Sequence, residues 1–271
     1  MKFALNHVTV PRLHYKDFLD LAARLGCIGV EVRNNIARPL FDGLNPGEAG
    51  RVAKDTGVRL LGLSEVYAFN SWDAERSHAV RSLISTATAA GAETISLIPR
   101  NDGTSHGDDE RRANLRTALE AILPMLRDAG IVALVEPLGF RRSSLRSKTE
   151  LIEAINSIDN EDRFRLVHDT FHHALAGGGQ IYPAYTGIVH VSGVSDPTLR
   201  LDEMEDEHRV LVDEHDQLGN IAQLAALFAS GYDGAMSWEC FSPVTQSMED
   251  PYTELKRSFE FVSSRVQAKV A

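Results

Sequence analysis

The chain has 271 residues, 43% of them hydrophobic and 24% charged, with a formal net charge of −10. A prior of ~150 residues per domain suggests two domains, but barrels of ~250 residues fold as one, and no compositional break divides residues 1–271. The acidic balance argues against nucleic acid, which selects a basic face, and no apolar run approaches the ~18 residues of a membrane span.

From the N-terminus, a short apolar strand is expected near 3–6 and a helix over 15–25. The alternation continues with strand 29–33 and helix 46–56, strand 59–64 and helix 74–90, then strand 94–98 and helix 110–129. Next come strand 132–136 and helix 149–157, and strand 164–169 with a short helix behind it. Strand 187–191, helix 221–229, strand 234–239 and a helix over 252–266 complete the pattern. Gly26, Gly57, Gly91, Gly130 and Gly231 punctuate helix ends, where a left-handed residue closes the last turn. Eight strands in strict alternation with about eight helices predict an α/β fold, a single-domain (β/α)8 TIM barrel. An open doubly wound sheet competes, but Gly177-Gly178-Gly179 follows a helix rather than opening one, and no GxGxxG or Walker pattern occurs. The polar, acid-rich stretch 192–218 is the largest expected loop, either a cover over the barrel mouth or a solvated surface. Cys27 and Cys240 form no CxxC motif and read as buried free thiols. The N-terminal run turns polar at Asn6-His7, too early for a secretory segment, so a cytoplasmic protein is expected.

Four of the predicted strands end on an acid or an imidazole: Glu136, Asp169, His190 and Glu239. A charged group at the end of a buried strand is costly unless something there uses it. Four in consecutive strand–helix units point to one convergent site, and this O/N set suits a divalent metal. Barrel active sites occupy the C-terminal strand ends, where these residues fall. If Glu136 faces inward, Leu134 does too and Val135 packs against helices; likewise Glu239 points in, with Trp238 and Cys240 out.

At these residues the chain resembles the xylose-isomerase-like family of TIM-barrel sugar isomerases and epimerases, over essentially its whole length. The resemblance is carried by Glu136-Pro137-Leu138-Gly139, Asp169-Thr170-Phe171-His172, Ile188-Val189-His190-Val191 and the run from Gly231 to Pro243. It implies one divalent ion (Mn, Co, Mg or Zn) held by Glu136, Asp169, His190 and Glu239. Within the family the chain is most similar to 2-keto-myo-inositol (inosose) isomerases, on Leu5-Asn6, Val30-Glu31-Val32-Arg33, Asp169 to Ala174, Asp206 to Val210 and Glu239 to Pro243. There are departures. Arg142 stands where ketose 3-epimerases carry a second Glu six positions after the first ligand. Arg209 is followed by Val210-Leu211-Val212 instead of a Pro-Gly-x-Gly turn, and Ser192-Gly193 replace an acidic residue often found after the histidine ligand.

The implied substrate is a small keto-cyclitol or keto-sugar, and the implied chemistry removes a proton beside a carbonyl to give an enediolate. Glu136 and Glu239 would be ligands and also the general base and acid. Proton return to the neighbouring carbon isomerises; return to the opposite face of the same carbon epimerises. His172 is expected either to bind a substrate hydroxyl or to pack its helix, and Arg209 either to bind a substrate oxygen or to form a surface salt bridge. His7 and Glu31, ending the first two strands, line the pocket or fill the barrel, and Glu65 is similar. His106 lies in a loop over the mouth. Arg141 and Arg142 reach a substrate phosphate or are solvated; Phe69 and Trp72 wall a sugar ring or a subunit contact. Oligomerisation is expected because barrels with apolar helix faces often pair. A metal-dependent lyase or dehydratase could use the same enediolate. A non-catalytic sugar-binding barrel is opposed by the presence of both Glu136 and Glu239. An endonuclease-IV-like phosphodiesterase is opposed by the scarcity of strand-end histidines and by the net charge.

Overall fold

Eight parallel strands close on themselves in the computed structural model, which describes residues 1–104, 107–160 and 162–270. They are β1 (Lys2–Asn6), β2 (Gly29–Arg33), β3 (Arg59–Tyr67), β4 (Thr94–Ile98), β5 (Val132–Val135), β6 (Phe164–Asp169), β7 (Thr186–Val191) and β8 (Ala235–Trp238). Each pairs with the next in sequence, and β8 returns to β1 with Leu5 opposite Trp238. The outer layer comprises α1 (Tyr15–Arg24), α2 (Pro46–Thr56), α3 (Ala74–Ala90), α4 (Asp108–Ala129), α5 (Lys148–Asn156), α6 (Thr170–Leu175), α7 (Asn220–Ala229), α8 (Pro243–Gln246) and α9 (Pro251–Val270). The (β/α)8 barrel expected from the alternation is the fold found.

Strand periodicity sorts the apolar residues into two cores. A small inner cluster of Ala4, Leu61, Leu134, Val167, Ile188 and Ala235 plugs the bottom of the barrel. The opposite faces, with Leu5, Val30, Val135, Leu166, Val189 and Met236, pack against the helices. Leu134 therefore points in and Val135 out. Trp238 also points out: its ring lies 4.2 Å from that of Phe259 on α9, and its Nε1 donates to Ser258 Oγ at 3.0 Å. Above the apolar plug the inward positions turn polar, with Asn6, Glu31, Ser96, His190 and Ser237 all buried. The change in chemistry along the barrel axis marks the end that binds something.

Boundaries differ from the sequence expectation in two places that matter. β5 and β8 stop at Val135 and Trp238, so Glu136 and Glu239 stand one residue beyond their strands. β3 runs on to Tyr67 through register shifts against both neighbours, which carries Glu65 and Tyr67 to the barrel mouth. The helix-ending glycines Gly57, Gly91 and Gly130 have φ of 77°, 69° and 67°, the left-handed caps their positions predict. Cys27 and Cys240 are buried free thiols. Among the described residues no helix is long and apolar enough to cross a membrane.

Candidate metal centre

Backbone placement brings the four strand-end residues together. The Glu136 amide donates to Leu97 O of β4 at 3.3 Å, and the Glu239 amide donates to Val191 O of β7 at 3.0 Å. Each carboxylate is thereby seated on the rim of the neighbouring strand. Asp169 ends β6 and caps α6, its Oδ1 accepting from the His172 amide at 2.8 Å. That leaves Oδ2 for the site. His190 lies inside β7 and faces the axis. One ligand atom from each of Glu136, Asp169, His190 and Glu239 lies within 4.8 Å of the others, and all four residues are buried.

Two arginines hold this acidic group together. Arg209 Nη2 donates to Asp169 Oδ2 at 2.5 Å and to Glu239 Oε2 at 2.9 Å, while Nε donates to Ser192 Oγ and Nη1 to Asp206 Oδ1. Its guanidinium sits over Phe171 and Phe241, 5.1 and 4.7 Å from the ring centres. Arg33 Nη1 donates to Glu239 Oε1 at 2.7 Å, and its Nη2 donates to Glu65 Oε2 at 2.7 Å. Asn6 Nδ2 also donates to Glu239 Oε1, at 3.1 Å. Burial alone would raise Glu239, but His190, Arg209 and Arg33 outweigh it and hold this carboxyl well below the usual range. Burial and repulsion from Glu239 push Glu136 up. The two carboxylates are thus driven apart in acidity, a pattern found where one group gives a proton and another takes it.

The residues present fit a divalent ion. Glu31, Glu65, Glu136, Asp169, Asp206 and Glu239 outnumber Arg33 and Arg209 around one small volume, so a further cation lowers the cost of burying them. His190 Nδ1 is buried without a hydrogen-bond partner, although Glu239 Oε2 is 3.2 Å away and Glu136 Oε2 3.7 Å. An orphaned imidazole nitrogen among three carboxylates has the disposition of a ligand. Oxygen donors with a single imidazole suit Mn, Mg, Co or Zn.

Beside the quartet lies a cavity of about 200 Å³, whose walls include Arg33, Glu65, Tyr67, Glu136, His172, Asp206, Arg209, Glu239 and Phe241. Of the residues singled out from sequence, Glu136, Glu239, His172, Arg209 and Glu65 are brought to it. Loop 192–218 accounts for Arg209: a bridge between Gly193 and Val210 folds the loop back, and Arg209 O accepts from the amides of Phe241 and Ser242. His7 and Glu31 are not among the residues lining this cavity. His7 faces the helical layer, its ring stacked on Phe18 at 4.2 Å and its Nε2 hydrogen-bonded to Leu13 O. Glu31 lies under the quartet, in contact with His190 Nε2 at 3.1 Å. Arg142 pairs with Glu205 across the mouth, and Phe69 is buried in the helical core. His106 lies outside the described residues. Arg33, Asn35, Tyr67, Asn101 and Asp206 line the cavity without having been singled out as site residues. Arg33 carried a usable signal: it ends β2 and shares its face with Glu31, two residues before it.

Behind Asp169, on the outward side of β6, Lys148 Nζ lies 2.8 Å from His168 Nδ1 and 2.9 Å from His173 Nδ1. His168 Nε2 in turn meets Gln223 Oε1 at 3.1 Å. Burial lowers the Lys148 amine to about 7.

The profile of a protein family described as xylose isomerase-like TIM barrel matches residues 19–264. A xylose isomerase domain containing protein from Salmonella typhimurium LT2 superposes with a TM-score of 0.87 at 29% identity, over 98% of this chain and 97% of that one. The IolI protein, solved with a bound zinc atom, gives 0.82 at 18% identity, over 100% of this chain and 98% of its own. D-psicose 3-epimerase from Clostridium cellulolyticum H10, solved with D-tagatose, gives 0.75 at 14% identity, over 98% and 99%. No curated protein matches the chain.

Proposed function

The chain belongs to the xylose isomerase-like TIM barrel family, and from that premise we propose that it is a divalent-metal-dependent isomerase or epimerase of small ketoses. A keto-cyclitol such as 2-keto-myo-inositol is the first candidate substrate, and a ketohexose the second. The observation that carries this reading is the pair Glu136 and Glu239, two buried carboxylates that belong to the quartet and also line the cavity. The zinc of the IolI structure and the D-tagatose of the epimerase structure belong to those proteins; they support the reading through a shared fold.

Glu136, Asp169, His190 and Glu239 would hold the ion, which supplies Lewis-acid stabilisation of negative charge developing on the substrate oxygens. The chain's own groups do the rest. One of Glu136 and Glu239 takes the proton from the carbon beside the carbonyl, and the same group or its partner returns it. Arg209 and His172 would orient substrate oxygens from the walls, and Arg209, Arg33 and Asn6 would keep Glu239 fixed in direction. The cavity of about 200 Å³ has room for one six-membered ring but little more.

Proton exchange tests the proposal. The protein, loaded with diamagnetic Mg or Zn, is incubated in D2O with 2-keto-myo-inositol or with a panel of ketohexoses, and NMR follows the substrate. Deuterium uptake that EDTA abolishes, with a new keto-cyclitol signal, is the expected result. Uptake with ketohexoses alone would make it a sugar epimerase. Absence of uptake from every substrate, with metal bound, would overturn the isomerase reading.

A further inference from the structure

We propose that Glu31 is a positioning residue that fixes the tautomer and direction of His190, holding Nε2–H so that the Nδ1 lone pair is turned toward the three carboxylates. The proposal rests on the reading of the quartet as a metal site and assigns it a residue outside the four ligands.

Three observations converge on Glu31. Both of its carboxylate oxygens lie 3.1 Å from His190 Nε2, on the side of the ring opposite Nδ1. A carboxylate accepts, so Glu31 holds a proton on Nε2, and Nδ1, on the face toward Glu136 and Glu239, is the ring atom left to bind an ion. That nitrogen is one of the buried side-chain atoms without a hydrogen-bond partner among the described residues. Second, Glu31 is fully buried, yet among the described residues no Lys or Arg nitrogen lies within salt-bridge distance of it. Its other contact is a long one, from Asn6 Nδ2 at 3.4 Å, and the same amide reaches Glu239 Oε1. A carboxylate at that depth is destabilising unless it is paired, and its pairing is with His190 Nε2. Third, β3 leaves room for it. Gly62 stands beside it: a Cβ there would lie in ordinary contact with Glu31 Oε1 at 3.7 Å, while its tight approach, 2.8 Å, would be to Thr94 Oγ1.

A ligating histidine whose second nitrogen is bound to a carboxylate has its ring locked and its basicity raised, and loss of such a partner costs roughly 10–100-fold in metal affinity. Asn6 extends the arrangement, because one amide links the group behind His190 to the ligand Glu239. Together they make a floor that orients two of the four ligands from below.

The test uses Glu31→Gln and Glu31→Leu with two readouts. Long-range 15N NMR of the Zn-loaded wild type should show His190 with its proton on Nε2 and its metal-bound nitrogen as Nδ1. Chelator competition with Zn should show affinity falling about 10- to 100-fold in Glu31→Leu and less in Glu31→Gln, whose amide oxygen still accepts from Nε2–H. A proton on Nδ1 with Zn bound through Nε2 in the loaded wild type would overturn the proposal even if neither variant folds. So would wild-type affinity in a folded Glu31→Leu. His190→Ala separates the two levels: if it leaves Zn affinity unchanged, the metal reading itself fails, and if it abolishes binding while Glu31→Leu does not, only the role of Glu31 is lost.

Discussion

Glu239→Gln tests the centre most directly, because the structure separates its effect on folding from its effect on the ion. Three donor groups converge on this carboxylate, Arg33 and Asn6 at Oε1 and Arg209 at Oε2, and His190 Nδ1 lies 3.2 Å from Oε2. The amide oxygen of Gln can keep one arginine, and the other loses a charge-assisted bond worth about 1.5–3 kcal/mol. Neither arginine is stranded, since Arg33 retains Glu65, and Arg209 retains Asp169 and Asp206. Relief of repulsion on Glu136 offsets part of the loss. We expect the EDTA-treated variant to lose about 2 kcal/mol and to unfold about 4–8 °C lower. Loss of a ligand should weaken Mn binding about 100-fold, at or beyond the upper end of the cost of losing an outer partner. At a free Mn concentration of 100 times the wild-type Kd, the ion stabilises the wild type by ~2.7 kcal/mol but the variant by only ~0.4 kcal/mol. Thermal unfolding with and without Mn reads both numbers, and proton exchange in D2O should vanish. Wild-type exchange would remove Glu239 from the proton transfer. A full Mn-dependent shift in Tm would remove it from the ligand set.

Other expectations follow from named contacts. Leu134→Ala opens a cavity in the small inner core and should cost about 2–5 kcal/mol in urea unfolding; a loss below 1 kcal/mol would mean that the plug does not bear on stability. Lys148 is lowered to about 7, so between that pH and about 10.5 the unfolded chain binds more protons, and stability rises with pH by up to ~1.4 kcal/mol per unit. From pH 7.5 to 9 the wild type should therefore gain up to ~2 kcal/mol more than Lys148→Met, and parallel pH profiles would refute the shift. Arg209→Lys cannot bridge Asp169, Glu239, Asp206 and Ser192 at once, so the Gly193 and Val210 amides that pair across loop 192–218 should exchange faster with solvent. Unchanged protection of both amides would show that the loop is held elsewhere.

Much of the fold was legible because the chemistry of a barrel is periodic. Apolar strands, left-handed glycines after helices and strand-end acids each recur at predictable places; Asp169 and His190 lie in the expected strands, and Glu136 and Glu239 stand one residue beyond theirs. The pairing of Arg209 was not legible. It depends on a bridge between Gly193 and Val210 that joins residues seventeen apart in an irregular loop, and no periodicity reports such a fold-back. His7 is different, because strand alternation already contained the answer. Ala4 belongs to the inner core and Asn6 shares its face, so the next residue must turn toward the helices, where His7 stacks on Phe18.

Depth along the barrel axis is the quantity that alternation leaves open. Glu31 and Arg33 occupy the same face of β2, two residues apart. Two residues of strand separate them by about 6.6 Å, roughly the thickness of one layer of side chains. That interval decides their roles. Arg33 reaches the cavity wall and meets Glu239 and Glu65, whereas Glu31 stops one layer below and meets the far side of His190. Which layer a residue joins depends on how far neighbouring strands are staggered, and the stagger appears only when the barrel closes. The irregular register between β2 and β3, which shifts between Val30 and Glu31, sits at this point. A carboxylate that would have been a substrate contact one layer higher becomes the support of a metal ligand, and the stagger of a single strand pair makes the difference.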